Sequence, residues 1–94
     1  MDFNTAVGKA TTIPGLSPAH LAFGDAIRAI RKEQGISQEA LALKCDLDRS
    51  YYGAVERGER NVSLTNIVRI ANALKTPAAE IFGRAEGHPT SFAS

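Results

Sequence analysis

The stretch from Gln38 to Arg57 limits what this chain can fold into more than any other. Its residue pattern predicts two short helices, at about 38–45 and 49–57. Ser37 and Asp48 stand where a side chain can cap each one, and Gly58 closes the second. Only a very short turn fits between them. Apolar residues fall at Leu41, Cys45, Leu47, Tyr52 and Val55, and a small one, Ala42, sits where the two helices must come close. Helices this short cannot both bury an apolar face across a tight turn unless they cross at a large angle. The second helix then projects its N-terminal residues outward.

The flanking sequence adds three more helices. Ser17-Pro18 opens one with a cap and a proline at the first helical position, and Phe23, Ile27 and Ile30 recur on one face until Gly35 ends it. Ser63 caps a helix at about 64–75, with Leu64, Ile67, Ile70, Ala71 and Leu74 as its apolar stripe. Thr76-Pro77 stops that helix and starts another at about 77–82, with Ala78, Ile81 and Phe82 inward. No stretch alternates apolar and polar residues long enough for a strand. The expected fold class is therefore all-α with five helices. Leu, Ile, Val and Phe total 22, and only five of them lie in residues 1–16 and 84–94. Those two segments are expected to be flexible tails around one domain at 17–83. A core this small is marginal alone, and oligomerisation is one remedy.

Composition excludes several classes of function. A single Cys leaves no disulfide framework and no multi-cysteine zinc site, and His20 and His88 are far apart, so no metal or other cofactor is expected. Cys45 reads as a small core residue. No apolar run approaches the ~20 residues of a membrane span, and residues 1–16 lack the apolar centre of a signal peptide. A phosphate-cradling glycine motif and a convergent nucleophile set are both missing, so no enzyme activity is expected. So small a core leaves no room for a small-molecule ligand. The formal net charge of +1 gives by itself no sign of a nucleic-acid partner.

The geometry derived for 38–57 is that of a helix-turn-helix, whose second helix can enter a DNA major groove. Residues 23–82 resemble the XRE/Cro-type helix-turn-helix family. The match rests on Phe23-Gly24, Ile27-Arg28 and Arg31, then Gly35-Ile36-Ser37-Gln38-Glu39 and Leu41-Ala42, then Val55-Glu56-Arg57-Gly58, Ile70-Ala71 and Ala73-Leu74. Leu47-Asp48-Arg49-Ser50-Tyr51 together with Arg60-Asn61 is similar to the controller proteins of restriction-modification systems. The resemblance implies a lambda-repressor-like domain. Two departures stand out. Asp46 occupies a turn position where glycine is usual, and Tyr52 stands where an aliphatic residue is usual.

Roles follow residue by residue. Arg49 and Ser50 open the second helix of the motif, where side chains meet base edges, and Arg suits a bidentate contact with guanine. Ala54 lies one turn further along the same face and is expected near the groove, touching a thymine methyl or simply leaving room. Tyr51 and Tyr52 point about 100° apart. Which of the two faces inward is not set by that angle; the resemblance implies Tyr52 in the core and Tyr51 facing the DNA. Gln38, with Ser37, is expected to clamp a backbone phosphate, as the resemblance implies. Arg57, Arg60 and Asn61 are placed for a second phosphate. The resemblance also implies a partly buried ion pair between Arg31 and Glu56. The dimer face is expected around Ile81 and Phe82.

The function implied is sequence-specific binding of double-stranded DNA by a homodimer on a near-palindromic operator. Such a protein regulates transcription, its own included, with RNA polymerase as a further partner, in the bacterial cytoplasm or from a phage. The alternative is an antitoxin or adaptor that uses the same fold to bind protein. The net charge of +1 then matters less than its placement, since Arg49, Arg57 and Arg60 lie at or just beyond the second helix of the motif.

Overall fold

The computed structural model describes residues 17–87. The segment at 1–16 expected to be a tail, together with His88 and all that follows it, lies outside the described residues. Five α-helices follow one another: α1 Pro18–Glu33, α2 Gln38–Lys44, α3 Arg49–Glu56, α4 Leu64–Ala73 and α5 Ala78–Glu86. No strand occurs among the described residues.

Local chemistry sets the helix ends. Ser37 Oγ accepts from the Ala40 N–H at 3.0 Å, and Ser63 Oγ accepts from the Asn66 N–H at 3.1 Å. The Asp48 carboxylate accepts from the N–H groups of both Ser50 and Tyr51, at 3.0 and 3.2 Å. Each cap satisfies amides that the helix itself leaves unpaired, and one is worth about 1 kcal/mol. At α1 the direction reverses: the Ser17 N–H donates to His20 Nδ1 at 3.0 Å. The turns that follow α1, α2, α3 and α4 pass through left-handed residues: Gly35 at φ 69°, Asp46 at φ 57°, Gly58 at φ 75° and Lys75 at φ 52°. Asp46 thus does take the conformation for which glycine is usual, and the turn closes with Leu47 N–H on the Ala42 carbonyl at 2.9 Å.

α1 packs against α5 and α3, α2 against α3 and α4, and α4 against α5. The core joins Ala22, Phe23, Ile27 and Ile30 of α1 to Leu41, Tyr52, Val55, Ile70, Leu74 and Ile81, with Cys45 buried at the end of α2. Tyr52 is fully buried, as expected.

Two glycines bring α1 and α3 together backbone to backbone. A Cβ on Gly24 would collide with the Glu56 carbonyl oxygen and lie 2.6 Å from that of Val55. In return, a Cβ on Gly58 would lie 2.6 Å from Leu21 Cδ2 and 2.9 Å from Leu21 Cα.

Three expectations need correction. α5 does not stop at Phe82 but runs to Glu86, and Ala85 is fully buried, so residues 84–86 belong to the domain rather than to a tail. A bidentate pair, Arg84 to Glu33 at 2.6 and 2.9 Å, ties this last turn to the end of α1. Leu64 is not part of the inward stripe. It is 75% exposed, because α4 turns Ile70, Ala71 and Leu74 to the core and leaves its first turn beyond the core's edge. Ile81 is fully buried within the protomer, so it cannot form a dimer face.

Candidate nucleic-acid interface

The first turn of α3 is the most outward part of the central motif. Arg49 and Ser50 are both exposed there, because the Asp48 cap holds the helix entry and Tyr52 anchors the opposite side in the core. Tyr51 is half-buried, and its hydroxyl accepts from Asn66 Nδ2 at 3.2 Å. The hydroxyl accepts that bond and keeps its own proton to donate. Ala54 departs from expectation. It is only 6% exposed. Its methyl is therefore not presented to a groove.

Behind this surface lies a polar network at the centre of the domain. Arg31 Nε donates to Glu56 Oε2 at 2.6 Å and an Arg31 terminal nitrogen donates to Glu56 Oε1 at 3.0 Å, with both side chains buried. The other Arg31 terminal nitrogen reaches the Ile36 carbonyl at 2.8 Å. The Tyr52 hydroxyl donates to Glu56 Oε2 at 2.5 Å and Gln38 Nε2 to Glu56 Oε1 at 2.8 Å. No buried side-chain nitrogen or oxygen among the described residues lacks a partner. The ion pair was expected, but the part played by Gln38 was not. Its side chain spans from the start of α2 to the end of α3, so the residue expected to clamp a phosphate is itself held by Glu56.

Burial pushes the Glu56 carboxyl up, but the hydrogen bonds from Arg31, Tyr52 and Gln38 outweigh it and hold the group below the ordinary carboxylate range. The Tyr52 hydroxyl is pushed well above its usual value, by burial first and by its bond to Glu56 second. A group whose value is depressed on folding contributes stability that is complete above its unfolded value and is lost as pH falls through the folded one. The thermal midpoint should therefore fall as pH drops below the ordinary carboxylate range. Glu56→Gln should flatten that dependence relative to the parent chain in a calorimetric pH series, and an unchanged slope would contradict the assignment.

The remaining predicted residues spread along the motif's edge. Ser37 is exposed and engaged as the cap of α2. Arg57 pairs with Glu59 at 3.1 Å, both largely exposed. Arg60 and Asn61 are exposed in the following loop, and His20 Nε2 lies 3.4 Å from Asn61 Oδ1. On the surface, an open polar cleft of about 400 Å³ is lined by Asp25, Arg28, Gln38, Glu56 and Arg57. Phe82 is half-buried, its ring 5.6 Å from that of Phe23. Two residues were missed in the sequence. Arg28, which lines the cleft, enters the sequence reading only as part of the family match, with no role given to it. His20 carries a local signal, since it stands three residues after an N-cap serine, the position from which a side chain reaches back to the cap.

Five short helices, with the second and third joined by a tight turn and the third exposing its first turn, define a helix-turn-helix domain. Residues 27–81 match the family described as helix-turn-helix, and the chain belongs to that family. Its relatives include control protein C.MunI from Mycoplasma sp, 43% identical over 65 residues that span 68% of this chain and 88% of that protein. The crystal structure of the restriction-modification controller protein C.AhdI from Aeromonas hydrophila aligns with a TM-score of 0.64 at 51% identity, covering 65% of this chain and 92% of that one. The controller protein C.Esp1396I, solved as a tetramer in complex with its natural 35 base-pair operator, aligns with a TM-score of 0.68 at 30% identity, covering 73% of this chain and 91% of that one.

Proposed function

We propose that this chain is a sequence-specific double-stranded-DNA-binding transcription regulator, acting as a homodimer on a near-palindromic operator in a restriction-modification locus and regulating its own promoter. The carrying observation is the exposed first turn of α3, which presents Arg49 and Ser50 to solvent, followed by the half-buried Tyr51. The likeness to a controller protein solved on its operator supports the same reading. Two α3 copies would enter successive major grooves about 34 Å apart.

Arg49, Ser50 and Tyr51 read bases in this proposal. Ser37, Gln38, Arg57, Arg60 and Asn61 position the backbone. The dimer face moves from Ile81 to Phe82 and the first turns of α4, where Leu64 and Val68 are exposed one turn apart. RNA polymerase is the partner excluded or recruited at the promoter, the site of action is the cytoplasm, and the protein carries no catalysis of its own. None of the described helices is long and apolar enough to cross a membrane.

The test is selection of bound duplexes from a genomic fragment pool, followed by titration of variants. Arg49→Ala should lose about 1–3 kcal/mol on the selected site and relax preference at one position per half-site. Gln38→Ala should weaken selected and unselected duplexes alike, by about tenfold. No retained duplex at low salt, with the folded dimer confirmed, would overturn the proposal.

A further inference from the structure

We infer that His20 is a positioning residue for DNA binding: it orients the side-chain amide of Asn61 so that its NH2 end faces a backbone phosphate. The inference rests on the proposed function and adds to it a residue on α1, outside the helix-turn-helix motif.

A backbone amide can only donate, so the Ser17 N–H at 3.0 Å from His20 Nδ1 makes that nitrogen the acceptor. The Ser17 hydroxyl, 3.2 Å from the same nitrogen, is compatible with it as a second donor. The imidazole proton then resides on Nε2, which points at Asn61 Oδ1, 3.4 Å away. Donation from Nε2 fixes which end of the Asn61 amide faces inward. An asparagine side chain is otherwise free to present either its oxygen or its nitrogen. A phosphate has no proton to give and is attracted only by the NH2 end. His20 therefore removes the orientation that would repel the backbone. Beside it lies a small apolar pocket of about 150 Å³, which His20 lines together with Ala19, Phe23, Val62, Ile67 and Phe82. The link joins the start of α1 to the loop beyond α3, 41 residues apart in sequence.

The test is a two-residue cycle in the full-length chain, read by fluorescence anisotropy on a labelled mixed-sequence duplex at several low salt concentrations, with thermal midpoints measured in parallel. Asn61→Ala should weaken binding about tenfold, the worth of one hydrogen bond to a charged acceptor. Its salt slope should match the parent's, because a neutral donor displaces no counterion. His20→Ala should weaken binding by a similar factor, and the double variant by no more than Asn61→Ala alone. His20→Gln should recover part of the loss, since one amide can accept from Ser17 and donate to Asn61. A purely structural His20 would lower the midpoint in His20→Ala and leave affinity intact, and that result overturns the inference. So does full additivity of the two losses, or an Asn61→Ala variant that binds like the parent. If the parent chain binds no duplex at all, the DNA-binding proposal fails and this inference fails with it.

Discussion

Glu56→Ala is expected to cost about 3–5 kcal/mol of folding stability, the usual range when one partner of a buried ion pair is removed. The reason is what remains. Arg31 stays buried with its charge opposed only by the Ile36 carbonyl, and the Tyr52 hydroxyl and Gln38 amide lose their acceptor. A domain has about 5–15 kcal/mol of stability in total, and one this small is expected near the low end. The variant should therefore be substantially unfolded at moderate temperature in a calorimetric or circular-dichroism melt. Glu56→Gln, which keeps the shape and one acceptor, should be milder. Adding Arg31→Met to Glu56→Ala should restore much of the loss, because the stranded charge is gone. A melt unchanged by Glu56→Ala would mean that the carboxylate is not buried in solution.

The second large effect has the opposite sign from helix propensity. In an open helix, glycine to alanine gains roughly 1 kcal/mol. At Gly24 the new methyl group would meet the carbonyls of Val55 and Glu56, which are backbone and cannot rotate away. Gly24→Ala should cost about 3 kcal/mol net, at the upper end of overpacking effects, measured by urea denaturation. It should also weaken DNA binding in the fraction that stays folded, because α1 can relieve the clash only by displacing α3. A more stable Gly24→Ala variant would show that the two helices are not in contact there.

What the sequence made legible is mostly local. Ser37, Asp48 and Ser63 announce helix starts because a capping side chain acts within three residues of itself. Arg31 and Glu56 were legible through the family pattern, as was Asp46 as the left-handed turn residue. Helical spacing shows that Tyr51 and Tyr52 face apart, and the family pattern makes Tyr52 the buried one. The errors share a different origin. Nothing near Ala54 in sequence shows that packing buries it. Ile81 was apolar and near the end of the pattern, which fits a dimer face and a core position equally well. Only the packing of α5 on α1 decides for the core. The extension of α5 to Glu86 depends on Ala85 finding the core and Arg84 finding Glu33, 51 residues away. The tie between Gln38 and Glu56 spans 18 residues and joins two groups that each already had a role of their own.

The reciprocal glycine contact between α1 and α3 bears on how such a regulator could change over evolutionary time. The depth and tilt of α3 are referenced to main-chain atoms, which stay the same whatever side chains are exchanged elsewhere. The positions that seat the helix, Val55 and Glu56, are buried, while Arg49 and Ser50 are exposed. Selection for a new operator can then act on the exposed set without disturbing the seat. Under the proposed function, a duplicated copy of this gene could drift to a different promoter through changes at 49 and 50 alone, keeping its dimer, its stability and its approach to the groove.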